Sequence, residues 1–422
     1  MADLVSYEPP AFVSRGRVSV RASTAFTYFA ETIARAYEPT PTQLSNLQRA
    51  YESTGEYLVG CPDFGGLLTQ VHAHGSRQLG TIVRPSPSRE GWDIDLVVRL
   101  GRAALQRYGG DQGPALLLRH LSGALERYAL RHQLSIERWE RCVTLVYAEG
   151  MRADFAAVID DPLYFLPHGE SHGRIPDREL RRYLSTNPRG YCGAFDDAAR
   201  IAPNFPRIEE LSKSFTEARR ADVLPLPNVG EVFGRLLSRL VQIAKVHRNV
   251  AFAGPHNTNT DLRPSSVFVT TLLAAAYVQQ APRPHDGPLD LLIDMVDMMP
   301  LLFGRHMEAE GTERWELPNP TAQNDNLAAS MNERHKQKAF VAWHGRLKQD
   351  LFELLNAIEH QSGLDTFLKT VRLAFGETAA LAIGEDNKIR REANRSAGRS
   401  VFLAAGATPI TSAARSHTNF GG

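Results

Sequence analysis

The stretch from His74 to Leu96 constrains this chain most. It reads H-G-S-R-Q-L-G-T and then, past Arg84-Pro85, W-D-I-D-L, running on into Val97-Val98. Gly75-Ser76 can offer backbone N–H groups and a hydroxyl to a phosphate at a tight turn. Asp93 and Asp95 lie on an apolar run that predicts a buried β-strand. Side chains two apart on a strand share a face, so both carboxylates are expected to point one way, with Ile94 and Leu96 on the other. Paired charges repel, and a divalent cation between them is the usual remedy. A phosphate cradle beside such a pair is what Mg²⁺-dependent nucleotidyl transfer needs.

A third carboxylate is sought downstream. Arg141 to Ala148 reads as a strand, Glu149-Gly150 as a turn, and Arg152 to Ile159 as the returning partner. Asp154 stands there among Ala153, Phe155 and Ala156. An acid inside an apolar strand is costly unless paired or bound to a metal, so Asp154 is taken as the third ligand rather than a turn cap. Upstream, Leu67 to Ala73 predicts the strand that delivers the Gly75-Ser76 turn. His72 and His74 share one of its faces and are read as partly buried and hydrogen-bonded rather than metal-bound.

Helical spacing marks Ala25 to Tyr37 and Thr42 to Leu58, with Pro39 and Pro41 breaking between them. Ala115 to His132 is a further amphipathic helix, with Leu117, Leu121, Leu125 and Tyr128 on one stripe. Asp160 to Asp177 reads as a solvated loop holding His168 and His172, followed by a short helix over Arg178 to Tyr183. From Arg207 strand signals stop, and helices are predicted at Val229–Arg248, Val267–Val278, Asp290–Leu302 and Phe340–Ile358. Lys245, His247 and Arg248 complement a helix C-terminus, or grip a triphosphate if that end faces a cleft. Past Gly384 the chain turns basic, then rich in Ala, Ser, Gly and Thr, and Leu403 to Gly422 is expected to be disordered. The organisation expected is 1–206 as a catalytic core with N-terminal helices, 207–384 as a helical domain, and 385–422 as a flexible tail.

Composition narrows the classes. With 422 residues, 43% hydrophobic and 23% charged, the chain has material for two packed domains. A formal net charge of +1 supplies no field for nucleic acid or membrane. Three scattered cysteines argue for a reducing compartment and against a cysteine-rich zinc site. The apolar run Val267 to Val278 is too short to span a bilayer. A cytoplasmic protein with no membrane partner is expected.

These motifs, taken in order, resemble those of the bacterial CD-NTases, relatives of cyclic GMP-AMP synthase that make cyclic oligonucleotide signals in CBASS anti-phage defence. H-G-S-R-Q-L-G-T with D-I-D looks like the family's G-S and D-x-D signature, and R-A-D-F at Arg152 to Phe155 supplies the third acid. T-N-P-R-G-Y (Thr186 to Tyr191) is similar to an N-P-x-G-Y element, and A-K-V-H-R-N (Ala244 to Asn249) to a basic K-R-H-R-D element. R-P-S-S-V-F-V-T-T-L-L from Arg263 resembles a K-P-x-S helix start. N-P-T-A-Q-N-D-N, with Phe340 and Trp343 beyond, is similar to N-P-x-x-x-E-N-F followed by F-x-x-W. Val246 and Asn249 depart from the basic element, and Asp325 stands where the family more often has Glu.

The resemblance implies an α+β fold, with a polymerase-β-like nucleotidyltransferase lobe of mixed sheet, a helical C-terminal lobe and an active site in the cleft between them. It implies that Asp93, Asp95 and Asp154 hold two Mg²⁺ ions, with Mn²⁺ as a substitute, and that Asp154 serves as general base. Gly75 and Ser76 would hold the donor phosphates, Lys245 and Ser266 the triphosphate from the opposite wall, and Asp325 a nucleobase. The substrates implied are NTPs, joined into a cyclic di- or trinucleotide that acts on a downstream effector. The ending R-S-H-T-N-F-G-G resembles CD-NTase tails that a ubiquitin-activating/conjugating-like fusion enzyme joins to targets, here through Gly422. The rival readings are an RNA-directed nucleotidyltransferase, which would need a basic track and a stable nucleic-acid partner, a protein-modifying AMP transferase, and an inactive nucleotide-binding scaffold.

Overall fold

The computed structural model describes residues 18–84, 93–147, 151–221, 233–253, 262–360, 363–396, 399–402 and 410–413. The alternation of D-I-D-L-V-V-R-L builds the central strand β2 (Asp93–Leu100). Ile94, Leu96, Val98 and Leu100 enter one hydrophobic core, which leaves the odd-numbered positions to the opposite face. β1 (Leu68–His74) pairs antiparallel to β2 and ends in the one-turn helix α3 (Gly75–Gln78). On the other side β2 pairs parallel with β5 (Arg152–Asp160), whose Ala153, Phe155, Ala157 and Ile159 join the same core.

β5 pairs antiparallel with β4 (Cys142–Val146), and β4 with β3 (Ser135–Arg138). β6 (Gly173–Asp177) and β7 (Arg182–Thr186) extend the mixed sheet from the far end of β5. Helix α2 (Pro41–Val59) opens on a capping box between Thr40 and Gln43. It buries Leu47 and Leu58 in this core. After the short α4 (Leu105–Tyr108), α5 (Gly113–His132) contributes its predicted leucine stripe to the same side.

The second core is helical. It contains α1 (Val20–Tyr37), α6 (Pro188–Ala199), α7 (Ile208–Ala221), α8 (Leu236–Ala251), α9 (Ser266–Gln280), α10 (Pro288–Met298), α11 (Arg334–Glu359) and α12 (Leu364–Ser396, interrupted at Gly376). A hairpin of β8 (Gly304–Met307) and β9 (Glu313–Glu316) plugs its side with Trp315. The mixed sheet and the helical lobe match the fold class expected.

Several expectations need correction. Helix α1 belongs to the helical lobe, not to the sheet lobe: it packs against α8, α10 and α12, and its Phe26, Phe29 and Ile33 enter the helical core. Its Glu31 meets Arg239 of α8 at 2.8 Å, and both side chains are buried. Tyr37 donates to the Phe375 carbonyl at 2.7 Å, where Gly376 (φ +86°) breaks α12. Helix α6 also packs there through Cys192, Phe195 and Ala198, so the lobe begins before residue 207.

The segment from 385, expected to be a flexible tail, continues α12 to Ser396. Beyond it β10 (Arg399–Phe402) pairs with β11 (Ile410–Ala413). Residues 403–409 and 414–422, Gly422 among them, lie outside the described residues. The stretch 160–183 is the β6–β7 hairpin and its lead-in, not a loop and a helix. His172 is buried in it, bonded to the Asp161 carbonyl (2.7 Å) and to Ser185 Oγ (2.6 Å). No helix among the described residues is long and apolar enough to cross a membrane.

Candidate active site between the two lobes

A cleft of about 960 Å³ separates the sheet from the helical lobe, and its lining draws on both. Parallel pairing of β2 with β5 sets Asp95 directly opposite Asp154. Both acids line the cleft. Asp93 begins β2 opposite Arg152, and its side chain lies outside the described part. Burial pushes the Asp95 carboxyl above the usual carboxylate range, and Lys245 across the cleft pulls it back. Burial likewise raises Asp154; a hydrogen bond from Thr144 lowers it and the Asp95 charge raises it again. Thr144 faces Asp154 across the β4–β5 ladder and donates its hydroxyl to Asp154 Oδ1. Trp139 Nε1 in turn donates to Thr144 Oγ1 at 2.9 Å.

The Gly-Ser turn stands against these acids. Gly75 has φ +63°, and a Cβ on it would lie 1.9 Å from Asp95 Oδ2. Glycine is required twice over there, for backbone conformation and for space. Ser76 also lines the cleft, and its carbonyl accepts from the Thr81 N–H at 2.9 Å. From there residues 79–84 run as a strap along the helical lobe. Ser238 Oγ donates to the Leu79 carbonyl (2.9 Å), Lys245 Nζ to that of Thr81 (2.8 Å) and Gln242 Nε2 to that of Ile82 (3.0 Å). The Arg84 N–H closes the series on the Tyr37 carbonyl (2.6 Å).

Helical periodicity divides the basic trio. Lys245 and Arg248 line the cleft, whereas His247 turns away to Asp350 (2.8 Å) and accepts from Trp343 Nε1 (3.1 Å). Burial, aided by Arg248, pushes Lys245 down to about 7, while Asp95 works against that shift. Arg248 donates to the Pro264 carbonyl (2.9 Å) and to Ser266 Oγ (3.0 Å), at the start of α9. Ser265, not Ser266, is the N-cap. Asp325 lines the cleft with Asn319, whose Nδ2 donates to Asp325 Oδ2 at 2.8 Å. Burial raises this carboxyl too.

The structure therefore brings Gly75, Ser76, Asp95, Asp154, Lys245, Ser266 and Asp325 to one cleft. His74 also lines it, and burial pushes His72 and His74 down to about 4, so both are neutral near pH 7. Among the described residues no three His, Cys, Asp or Glu side chains form a metal-binding group. Asp95 and Asp154 are nonetheless a hard-oxygen pair, each raised by burial and Asp154 further by the Asp95 charge. That donor chemistry fits a divalent cation.

Sequence reasoning missed Trp139 and Thr144, and it quoted Thr81 and Asn187 only as letters of longer motifs, with no role of their own. Buried Asn187 caps α6 by accepting from the Gly190 N–H (2.9 Å) and donates to the carbonyls of His168 and Thr321 (2.9 Å each). A Cβ at residue 190 would lie 2.2 Å from Asn187 Nδ2, which accounts for the N-P-R-G spelling. An Asn directly before Pro is the one signal that could have found this hub.

No family model matches the chain. It is 25% identical over 345 residues to a c-di-GMP synthase of Roseivirga ehrenbergii, spanning 79% of this chain and 82% of that protein. It is 27% identical over 234 residues to the cyclic dinucleotide synthase CdnG of Bradyrhizobium diazoefficiens, spanning 52% and 51%. The structure of that CdnG in complex with GTP superposes with a TM-score of 0.60 at 20% identity, covering 85% of this chain and 97% of the other.

Proposed function

We propose that this chain, a bacterial CD-NTase by its sequence relatives and its fold, joins two nucleoside triphosphates into a cyclic dinucleotide with release of pyrophosphate. The observation that carries this is the in-register Asp95/Asp154 pair facing Lys245 and Arg248 across one cleft. Acids on one wall and cations on the other suit a reaction in which a ribose hydroxyl loses a proton and a polyphosphate departs.

Asp93, Asp95 and Asp154 would hold two Mg²⁺ ions, with Mn²⁺ as a substitute, which lower the pKa of the attacking hydroxyl and screen the leaving pyrophosphate. Gly75 and Ser76 hold the donor phosphates, and Lys245 and Arg248 balance their charge. Asp154, whose carboxyl burial raises, accepts the proton of the attacking hydroxyl. The hydroxyl oxygen bonds to the α-phosphorus as the bond to the pyrophosphate breaks. A second transfer on the linear intermediate closes the ring.

Asp325 reads guanine in this scheme. With Asn319 on Oδ2, its other oxygen is left to accept from guanine N1–H and the 2-amino group, donors that adenine lacks. A role in anti-phage signalling, through an effector that binds the product, follows the same resemblance. Incubation with each NTP and with all four, followed by mass spectrometry, tests the whole reading. A guanine-containing cyclic dinucleotide is expected. Asp325→Asn should cut kcat/KM for GTP about ten- to a hundredfold against ATP. Extended RNA products, or none, would overturn the proposal.

A further inference from the structure

Trp139 occupies an unusual position for a large aromatic. It is 47% exposed, yet it lines the same cleft as the two acids. Its place is braced on several sides. The Trp139 N–H donates to the Cys142 carbonyl (3.0 Å) across the β3–β4 turn, and the Arg178 N–H donates to the neighbouring Glu140 carbonyl (2.9 Å). The indole N–H is spent on Thr144 Oγ1, whose own hydroxyl points to Asp154. The ring is thereby anchored at its polar edge while much of its apolar surface stays open. Arg152, which also lines the cleft, is paired with Glu137 on β3.

Resting on the nucleotidyltransferase reading above, we propose that Trp139 is the platform on which the acceptor nucleobase stacks. Two hydrogen bonds in series, from the indole N–H to Thr144 and from Thr144 to Asp154, place the ring next to the carboxylate that would take the acceptor's proton. A base lying on the indole would bring its ribose hydroxyl to Asp154. Stacking of a base on an aromatic side chain is sequence-tolerant and worth about ten-fold or more in affinity. The ring is fixed before the nucleotide arrives, so little ordering is left to oppose binding. Trp139 acts on binding and orientation, while Asp154 keeps the proton transfer.

The test uses the full chain with GTP as probe. Trp139→Ala should raise KM for GTP about ten-fold while changing kcat at saturation far less, and Trp139→Phe should recover most of that loss. GTP should quench the tryptophan fluorescence of a Trp92→Phe background, and that quench should vanish when Trp139→Phe is added. Trp92, the sequence neighbour of Asp93, lies outside the described residues and is removed for that reason, whereas Trp315 and Trp343 are buried away from the cleft lining and are not expected to report. An unchanged KM in Trp139→Ala, or an undiminished quench in Trp139→Phe, would overturn the platform. A wild type that makes no product from any NTP would overturn the reading beneath it, and the quench, which needs binding alone, would still decide on Trp139.

Discussion

Gly75 touches Asp95 so closely that a single methyl group between them would collide with the carboxylate, 1.9 Å from its oxygen. The Gly75-Ser76 turn and Asp95 are therefore one packed unit. Gly75→Ala would need both a carboxylate shift and a residue held at φ +63°. We expect it to lose about 1–3 kcal/mol of stability, read by denaturant unfolding, and to lose turnover as well. Ser76→Ala should stay within about 0.5 kcal/mol of wild type in the same unfolding assay while raising KM.

Asp95→Asn and Asp154→Asn should each reduce pyrophosphate release at least about a hundredfold without loss of fold. Stability supplies a second readout. Both carboxyls are raised by burial, so folding takes up protons, and the metal-free protein loses stability as pH rises through that range. Without metal, the Asn variants should melt higher than wild type near neutral pH. Mg²⁺ should raise the melting temperature of wild type and leave the double variant unmoved. Equal Mg²⁺ shifts in both would remove the proposed metal site.

Lys245 should take up a proton when a triphosphate binds. Its amine is pushed down to about 7 from 10.5, so at pH 8 it is mostly neutral in the free protein, and a polyphosphate favours the charged form. Calorimetric titration with GTP in buffers of different ionisation enthalpy should show this uptake. Lys245→Met should abolish it. The sign for stability follows: between pH 7 and 10.5 the unfolded chain holds more protons at this site, so nucleotide-free stability rises with pH there. Lys245→Met should flatten that slope.

The Glu31–Arg239 pair joins the first helix to the rest of its lobe with both side chains buried. Arg239→Met leaves the buried Glu31 with the half-exposed Arg35 at 3.8 Å and should cost about 3–5 kcal/mol, measured by chemical unfolding. Glu31→Leu combined with Arg239→Met should recover most of that loss. A small effect from the single variant would show that water reaches the pair.

The candidate site was the legible part of this chain. A two-residue period carries Asp95 onto a face of β2, and an acid surrounded by apolar residues marks Asp154. Neither reading needs knowledge of distant contacts. Lobe membership was not legible in the same way. The apolar stripe of α1 says that one face is buried, not that its partners are α8 and α12 rather than the sheet. The Trp139–Thr144–Asp154 series depends on cross-strand register, which a single strand's pattern leaves open. His172 hides for a similar reason: its partners Asp161 and Ser185 are 11 and 13 residues away in a segment rich in Pro and Gly. The β8–β9 hairpin escaped because its strands are four residues long and Trp315 alone among them is buried.

The strap over residues 79–84 starts at the Gly-Ser turn and lies on the helical lobe, held there by Ser238, Gln242, Lys245 and Tyr37. Any rotation of one lobe against the other must therefore tug on the Gly75-Ser76 turn that packs against Asp95. That makes the strap a mechanical lever, through which whatever tilts the helices resets the turn proposed to grip the incoming nucleotide.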